Sequence, residues 1–485
     1  MSELTRMTAS EVVRLLERRE VSPLELVDAA ADRIAATDGG LNALPTLCLE
    51  RARSAARRLM AGGSATVLGG LPIVVKDLND VAGVRTTYGS PVYAERVPAS
   101  SDLVVETLER NGAVVIAKSN TPEFAAGANT FNPVFGKTVN PWNRALTCGG
   151  SSGGSAVALA TGMAWLATGS DLGGSLRTPA SFCSVVGLRP SPGRVAHGPF
   201  TQPPHGLAFD DLFVDGPMAR TVGDVGLMLD AMVGESPLDP LSLPAPDISF
   251  AQAAARPAAP RQVAWSPDLG ITPVDAEVAE ICRAAARRLE RLGAAVEQAT
   301  PDFSHASEIF QCLRALLFAG ELGPVVEAHR PKLKPDIIWN VEKGLALTGE
   351  AVARAQRLRG QLYADIVGFF RRYDLLVCPA AIVPPFPVEQ RYVTEVAGHR
   401  FDNYVDWFSI SYAITLTSCP ALSLPCGFTR AGLPVGLQMV GPPRGEAQLL
   451  AAAAALEAEL GLSGRVPVEP KGEAPAEIRK AVEMP

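Results

Sequence analysis

The chain has 485 residues, 47% of them hydrophobic, and a formal net charge of −7 with no basic block. That is ample material for a large core, and it argues against nucleic acid or an anionic membrane surface as the main partner. The eight cysteines include no C-x-x-C pair, and the five histidines (His197, His205, His305, His329, His399) form no H-E-x-x-H. The cysteines therefore read as small buried hydrophobes of a reducing compartment, and neither a metal nor a cofactor is expected. The start "MSELTRMTASEVV" carries no apolar signal core, and Ser155–Ser170 is too short and soft to span a bilayer. These features predict a cytoplasmic protein.

Residues 8–37 are predicted to form two helices. Thr8 with Glu11 makes a capping box, and Ser22, Pro23 and Glu25 mark a second helix start. A short strand follows over Leu71–Val75, then a helix over Asp102–Arg110, a turn at Gly112 and a strand in "AVVIAK". The wording "LERNGAVV" recurs as "LERLGAAV" at Leu289–Val296. Each copy reads as a helix ended by glycine and followed by a strand, one αβ corner used twice rather than a duplicated domain. Ala156–Leu166 reads as a buried helix of small residues. "SVVGLRPSPGRV" and "DGPMARTVGDVGLMLDAMV" add a strand-like piece and an amphipathic helix. Ser236–Gln262, rich in proline and alanine, reads as a surface connection. A strong helix is predicted over 276–292, with Val278, Ile281, Ala285, Leu289 and Leu292 on one face. Residues 303–372 are mostly helical in pattern and end in the strand "DLLVCPA". The apolar run "LPVGLQMVGPP", the helix "EAQLLAAAAALEAEL" and a tail from Pro467 complete the chain. Strands alternate with helices throughout, which favours an α/β layered fold with a mixed sheet.

Two serine motifs and one lysine stand out. Gly149–Gly153 in "CGGSSGGSAVA" fits G-x-S-x-G, the nucleophile elbow of a hydrolase. An elbow needs a strand leading into it, however, and the preceding "NPWNRALTC" has no run of Val or Ile. No lysine follows the glycines, so a phosphate loop fails as well. A second Gly-Gly-Ser stands in "GSDLGGSLRTPA" and carries Ser175. Lys76 ends the apolar strand in "GLPIVVKD"; a lysine drawn inward there loses charge preference and can serve a serine as a base.

Six stretches carry a resemblance: "GGLPIVVKD" (Gly69–Asp77), "TVNPWN" (Thr138–Asn143), "GGSSGGSAVALATG" (Gly149–Gly162), "GSDLGGSLRTPASFCSVVGLRPSPGRV" (Gly169–Val195), "DGPMARTVGD" (Asp215–Asp224) and "CPALSLPCGFTRAGLPVGLQMVGPP" (Cys419–Pro443). On these the chain closely resembles the amidase signature family, from about residue 8 to residue 460, with 233–418 the least similar part. The resemblance implies an α/β fold of the amidase signature type, a central mixed β-sheet covered by helices on both faces. It implies a single amidase domain over 1–485. Within it, 1–60 would be N-terminal helices, 61–232 the catalytic signature core and 233–262 the Pro/Ala-rich connection. The rest of the core would span 263–466, with a variable helical substrate region at about 303–418, and 467–485 would be the tail.

The implied activity is hydrolysis of linear amides (EC 3.5.1 type) by a Ser–Ser–Lys triad. By motif, Ser175 is the nucleophile that becomes acylated, Ser151 the bridging serine and Lys76 the base. Backbone N–H groups of Leu172, Gly173, Gly174 and Ser175 are expected to form the oxyanion hole, and a cis peptide is expected at Gly150–Ser151. Ala125 and Ser151 are the expected substrate-binding positions. Arg177 and Asp171 read as an internal clamp of the nucleophile loop. Ser170 stands where the family often has threonine, and Ser184 where glycine is common. Cys183 reads as core, and His197 and His205 as loop residues, either solvated or touching substrate, with solvation preferred. Specificity is expected from 303–418 and "GANTFNPVFG". Ile309–Phe318 and Tyr404–Tyr412 either pack as ordinary core or line an apolar channel. A channel would select apolar acyl or aryl amides, with carbamates, urethanes or amide oligomers as further substrates. The expected partner is a small-molecule amide, with no nucleic acid and no membrane; homodimers are common in the family. The alternative is the glutaminase subunit of a tRNA-dependent amidotransferase. Against it stands "RPSPGRV", where that subunit tends to carry a tyrosine before the glycine.

Overall fold

Eleven strands form one mixed sheet in the computed structural model, which describes residues 1–62, 66–200, 206–475 and 477–478. In chain order these strands are β1 (Thr46–Leu47), β2 (Pro72–Lys76), β3 (Val114–Ser119), β4 (Leu166–Asp171), β5 (Val186–Arg189) and β6 (Val214–Ala219). They continue with β7 (Gln262–Trp265), β8 (Ala295–Gln298), β9 (Leu375–Pro379), β10 (Ala421–Phe428) and β11 (Pro434–Val440). Their spatial order is β1-β3-β2-β4-β6-β5-β10-β11-β9-β7-β8. Strands β3, β2 and β4 run parallel to one another, as do β9, β7 and β8. The strands between these two wings pair antiparallel. The expected α/β fold with a mixed sheet flanked by helices is thus what the chain adopts.

The recurring "LER" wording falls once in each parallel wing. Gly112 (φ +87°) ends a helix before β3, and Gly293 (φ +94°) ends one before β8. Both corners close alike: Gly112 N and Gly293 N donate to Glu109 O and Glu290 O, and Ala113 N and Ala294 N donate to Leu108 O and Leu289 O. One helix-ending device therefore delivers the chain twice into a parallel strand.

The helices are α1 (Ala9–Glu17), α2 (Pro23–Thr37), α3 (Leu49–Gly62), α4 (Leu103–Arg110), α5 (Gly153–Ala160), α6 (Arg177–Cys183) and α7 (Val222–Met232). There follow α8 (Ala276–Arg291), α9 (Ala306–His329), α10 (Pro335–Leu345), α11 (Gly349–Phe369), α12 (Ser409–Thr415) and α13 (Glu446–Leu460). Capping boxes start α1 and α2 as expected. Three expectations need correction. The helix expected over Ala156–Leu166 ends at Ala160, because Gly162 turns at φ +73° and Leu166 already belongs to β4. Helix α7 is not amphipathic; it is covered on most sides, with Val222, Val225, Met228, Leu229 and Met232 all buried. The Pro/Ala-rich stretch is not purely surface, since a short helix at Phe250–Ala254 buries Phe250. "CPALSLPCGF" supplies β10, a strand its two prolines conceal from pattern reading.

Helix α9 is long and apolar enough to span a bilayer by length and composition, but 61% of its apolar window is buried against the rest of the fold. All eight cysteines are free, and seven of them are buried. The segment after Pro467 lies on the fold: Val468 N donates to Ala160 O (2.8 Å) at the end of α5. Arg33 donates to Thr161 O (2.7 Å) and to Glu469 (3.0 Å) beside it. Residues 479–485 of the expected tail lie outside the described residues.

Candidate active site

Parallel pairing of β2 with β4 brings their carboxyl ends together, the usual place for a site in such a sheet. Lys76 ends β2, and Ser170 and Asp171 end β4. Lys76 N donates to Thr168 Oγ1 (2.9 Å), fixing the strand end. Its side chain is fully buried, with Nζ 2.6 Å from Ser151 Oγ, 2.8 Å from Ser170 Oγ and 3.1 Å from Ser152 Oγ. Burial pulls its pKa down to about 7, against the opposing charges of Asp215 and Asp171. Near neutral pH a large share of Lys76 is the free amine, the form that accepts a proton.

Ser151 lies in the turn into α5, after a cis Gly150–Ser151 peptide. The glycines around it permit close backbone approach. A Cβ on Gly154 would lie 2.4 Å from Asn120 N and 2.6 Å from Ala43 O. The two serine motifs are tied directly, Ser152 N donating to Ser175 O (3.1 Å). The Ser175 side chain makes no hydrogen bond among the described residues and faces the cavity that Ser151 also lines.

The loop around Ser175 is held from below by Asp171. Asp171 accepts from Gly174 N (2.9 Å), Leu176 N (3.2 Å), Arg177 Nε (3.0 Å) and Arg177 Nη2 (2.8 Å). Arg177 also donates to Ser411 O (2.8 Å) and Gln438 Oε1 (2.5 Å), and both charged side chains are fully buried. The expected internal clamp is what the structure contains. Burial pushes the Asp171 pKa up, but Arg177 overrides it and holds the carboxyl at about 2. Its stabilising contribution is therefore present above the ordinary carboxylate range and is lost as pH falls from about 4 to about 2. Arg177→Met is expected to destabilise the fold by about 3–5 kcal/mol in urea unfolding, because it strands a buried carboxylate.

This clamp corrects the expected oxyanion hole. The Gly174 N–H is committed to Asp171, which leaves Leu172, Gly173 and Ser175, whose N–H groups make no hydrogen bond among the described residues. Gly174 (φ +112°) turns the chain here, and a Cβ on it would lie 2.6 Å from Ser411 Cβ.

His197 is a second correction. Its side chain is only 20% exposed; Nδ1 lies 2.9 Å from Oδ2 of fully buried Asp215, and the ring lines the cavity. Burial alone would lower its pKa, but Asp215 raises it to about 9. His205 lies outside the described residues. Ala125 does line the cavity, in a left-handed backbone conformation (φ +54°). Phe310 and Phe318 of α9 and Phe408 before α12 line it too, and all three are at the same time buried members of the hydrophobic core. Cys183 is core.

The family model described as Amidase matches residues 25–450. The chain belongs to the amidase family. It is a hydrolase acting on C–N bonds of linear amides. This amidase is 33% identical to an acylamidase of Rhodococcus erythropolis over 93% of its own length and 95% of the relative's. It is 35% identical to a glutamyl-tRNA(Gln) amidotransferase subunit of Moorella thermoacetica, over 94% and 97% of the two chains. Among solved structures, a bacterial aryl acylamidase of the amidase signature family superposes with a TM-score of 0.87 at 26% identity, covering 95% and 98%.

Sequence reasoning missed several groups of this amidase. Lys118 also ends an apolar strand and is fully buried, so by the criterion applied to Lys76 it was an equal candidate. Its Nζ instead contacts Asp77 (3.2 Å), Asn79 O (2.7 Å) and Thr86 Oγ1 (2.8 Å). It is a paired structural cation, whereas Lys76 meets only hydroxyls. Ser152 and the side chains of Arg314 and Glu321 at the cavity were unread as well. Among the described residues, no three His, Cys, Asp or Glu side chains gather as a metal site.

Proposed function

We propose that the chain hydrolyses carboxamides with apolar acyl or aryl parts through an acyl-enzyme on Ser175. The observation that carries this is the buried Lys76 Nζ, 2.6 Å from Oγ of Ser151, which lines the same cavity as Ser175. Ser175 Oγ attacks the carbonyl carbon while its proton passes to Ser151 and the Ser151 proton to the Lys76 amine. The oxyanion takes N–H donors from Leu172, Gly173 and Ser175. The proton returns through Ser151 to the leaving nitrogen, the C–N bond breaks, and water repeats the sequence on the acyl-enzyme. The apolar preference rests on the lining, which includes Leu78, Phe124, Phe213, Phe310, Leu317 and Phe408. A panel of p-nitroanilides, aryl carbamates and short aliphatic amides tests the reading. Turnover of at least one apolar anilide is expected, and a panel left wholly intact by pure protein would sink it.

The 35% identity to the Moorella thermoacetica protein favours a second reading, glutaminase action within an amidotransferase. Ammonia release from glutamine by the isolated chain, with anilides untouched, would select that reading over the first.

A further inference from the structure

Helix α9 presents one face to the cavity, and that face is apolar except for Arg314 and Glu321. Arg314 is only 3% exposed. A guanidinium buried so deeply ordinarily sits on a carboxylate, because an uncompensated charge out of water is costly. Arg314 forms no ion pair among the described residues. It donates to two neutral acceptors, Asn340 Oδ1 and Tyr404 Oη (2.6 Å for the latter), and stacks over the Phe318 ring at 4.2 Å. Its Nε makes no hydrogen bond among the described residues. The carboxylates of this region are engaged elsewhere: Asp336 is paired with Arg391 (2.8 Å), and Asp406 accepts from Gln311 (2.9 Å) and Asn403 (2.7 Å).

We infer that Arg314 is a specificity residue that binds a carboxylate carried by the substrate, so that the preferred amides are apolar with an anionic end. This rests on the proposed hydrolase reading and names its substrate class. Phe310 fixes the scale. Its ring lies against Gly173, where an added Cβ would be 3.3 Å from Cζ. Arg314 is one turn further along α9, about 6 Å in rise. An anion a few bonds from the scissile carbonyl therefore reaches it. Asn340 and Tyr404 hold the guanidinium plane in place before the ligand arrives, which spares the ordering cost of a free side chain. Glu321 does not oppose this. It lies about 10 Å beyond Arg314 along the helix, and burial together with Asp210 raises its pKa to about 8, against the lowering effect of His197, so it is largely neutral at pH 7.

Binding to a Ser175→Ala chain tests the inference without turnover. The ligands are two isosteric pairs, glutaric acid monoanilide against 5-methylhexananilide and 4-acetamidobenzoate against 4-isopropylacetanilide, titrated by calorimetry. In at least one pair the carboxylate ligand is expected to bind about tenfold tighter or more, as for a charge-assisted hydrogen bond. Arg314→Gln should reduce that gain to under about twofold, and Arg314→Lys, which keeps the charge but not the fork, should retain part of it. Equal binding within both pairs overturns the inference even if no Arg314 variant folds, and so does a gain that survives Arg314→Gln. Turnover of the neutral anilides by the intact chain is read separately. Its absence counts against the hydrolase reading, whereas its presence with no carboxylate preference counts against Arg314 alone.

Discussion

Ser175→Ala is expected to lower kcat/KM on any anilide the chain turns over by about ten-thousand-fold or more, the scale of losing a covalent nucleophile. Folding should be untouched. The Ser175 side chain makes no hydrogen bond among the described residues, while its backbone carbonyl, which accepts from Ser152 N, is retained. Thermal melting should therefore superpose on that of the parent, and substrate should still bind. Mass spectrometry of the parent with a slow ester or anilide should show acyl mass on the peptide holding Ser175 and none on that holding Ser151. Residual turnover within tenfold of the parent would place the nucleophile elsewhere.

Lys76→Met should abolish turnover to a similar extent, because among the described residues no other base hydrogen-bonds Ser151: Ser152 and Ser170, which share the amine, are hydroxyls. The same change should raise stability at pH 7 by roughly 1–3 kcal/mol, since a desolvated amine is removed and methionine fills the space. The sign follows from the direction of the shift. Burial lowers the folded pKa to about 7 from an ordinary 10.5, so between those values the unfolded chain holds a proton that the folded one does not. Stability of the parent should rise across that window, and the rise should be smaller in Lys76→Met. Activity of the parent should climb through pH 7 and level off above it, as the proton leaves the amine. Urea unfolding at pH 7 and pH 9, beside a kcat/KM profile, checks all three statements.

Part of the sheet and the two serine motifs were legible because each left a local mark. Apolar runs predicted β2, β3 and β9, glycine after "LER" predicted the corners, and the paired Gly-Gly-Ser segments carried the family likeness, whereas β1, β4, β7 and β10 left no such run. What escaped depended on contacts distant in sequence. Lys76 and Lys118 look alike in the sequence and are separated only by what faces them, three hydroxyls or a carboxylate. His197 reads as a loop residue until Asp215 draws it in. Gly174 looks like an oxyanion donor until Asp171 takes its N–H. Arg314 did leave a mark, as the single charge in "IFQCLRALLFAG", but polarity alone does not say whether a buried cation has a partner.

Helix α5, which follows Ser151, has its far end fastened by Val468, more than three hundred residues downstream. The centre of the sheet likewise waits for β10 and β11 between the two wings. A chain leaving the ribosome at about 5–20 residues per second will thus have made both serines and the lysine long before the segment that pins them is available. The arrangement around Lys76, Ser151 and Ser175 can close only once these later segments have been made. Until then β5 and β9 have no partner on their inner edges, because β10 and β11 complete the sheet between them.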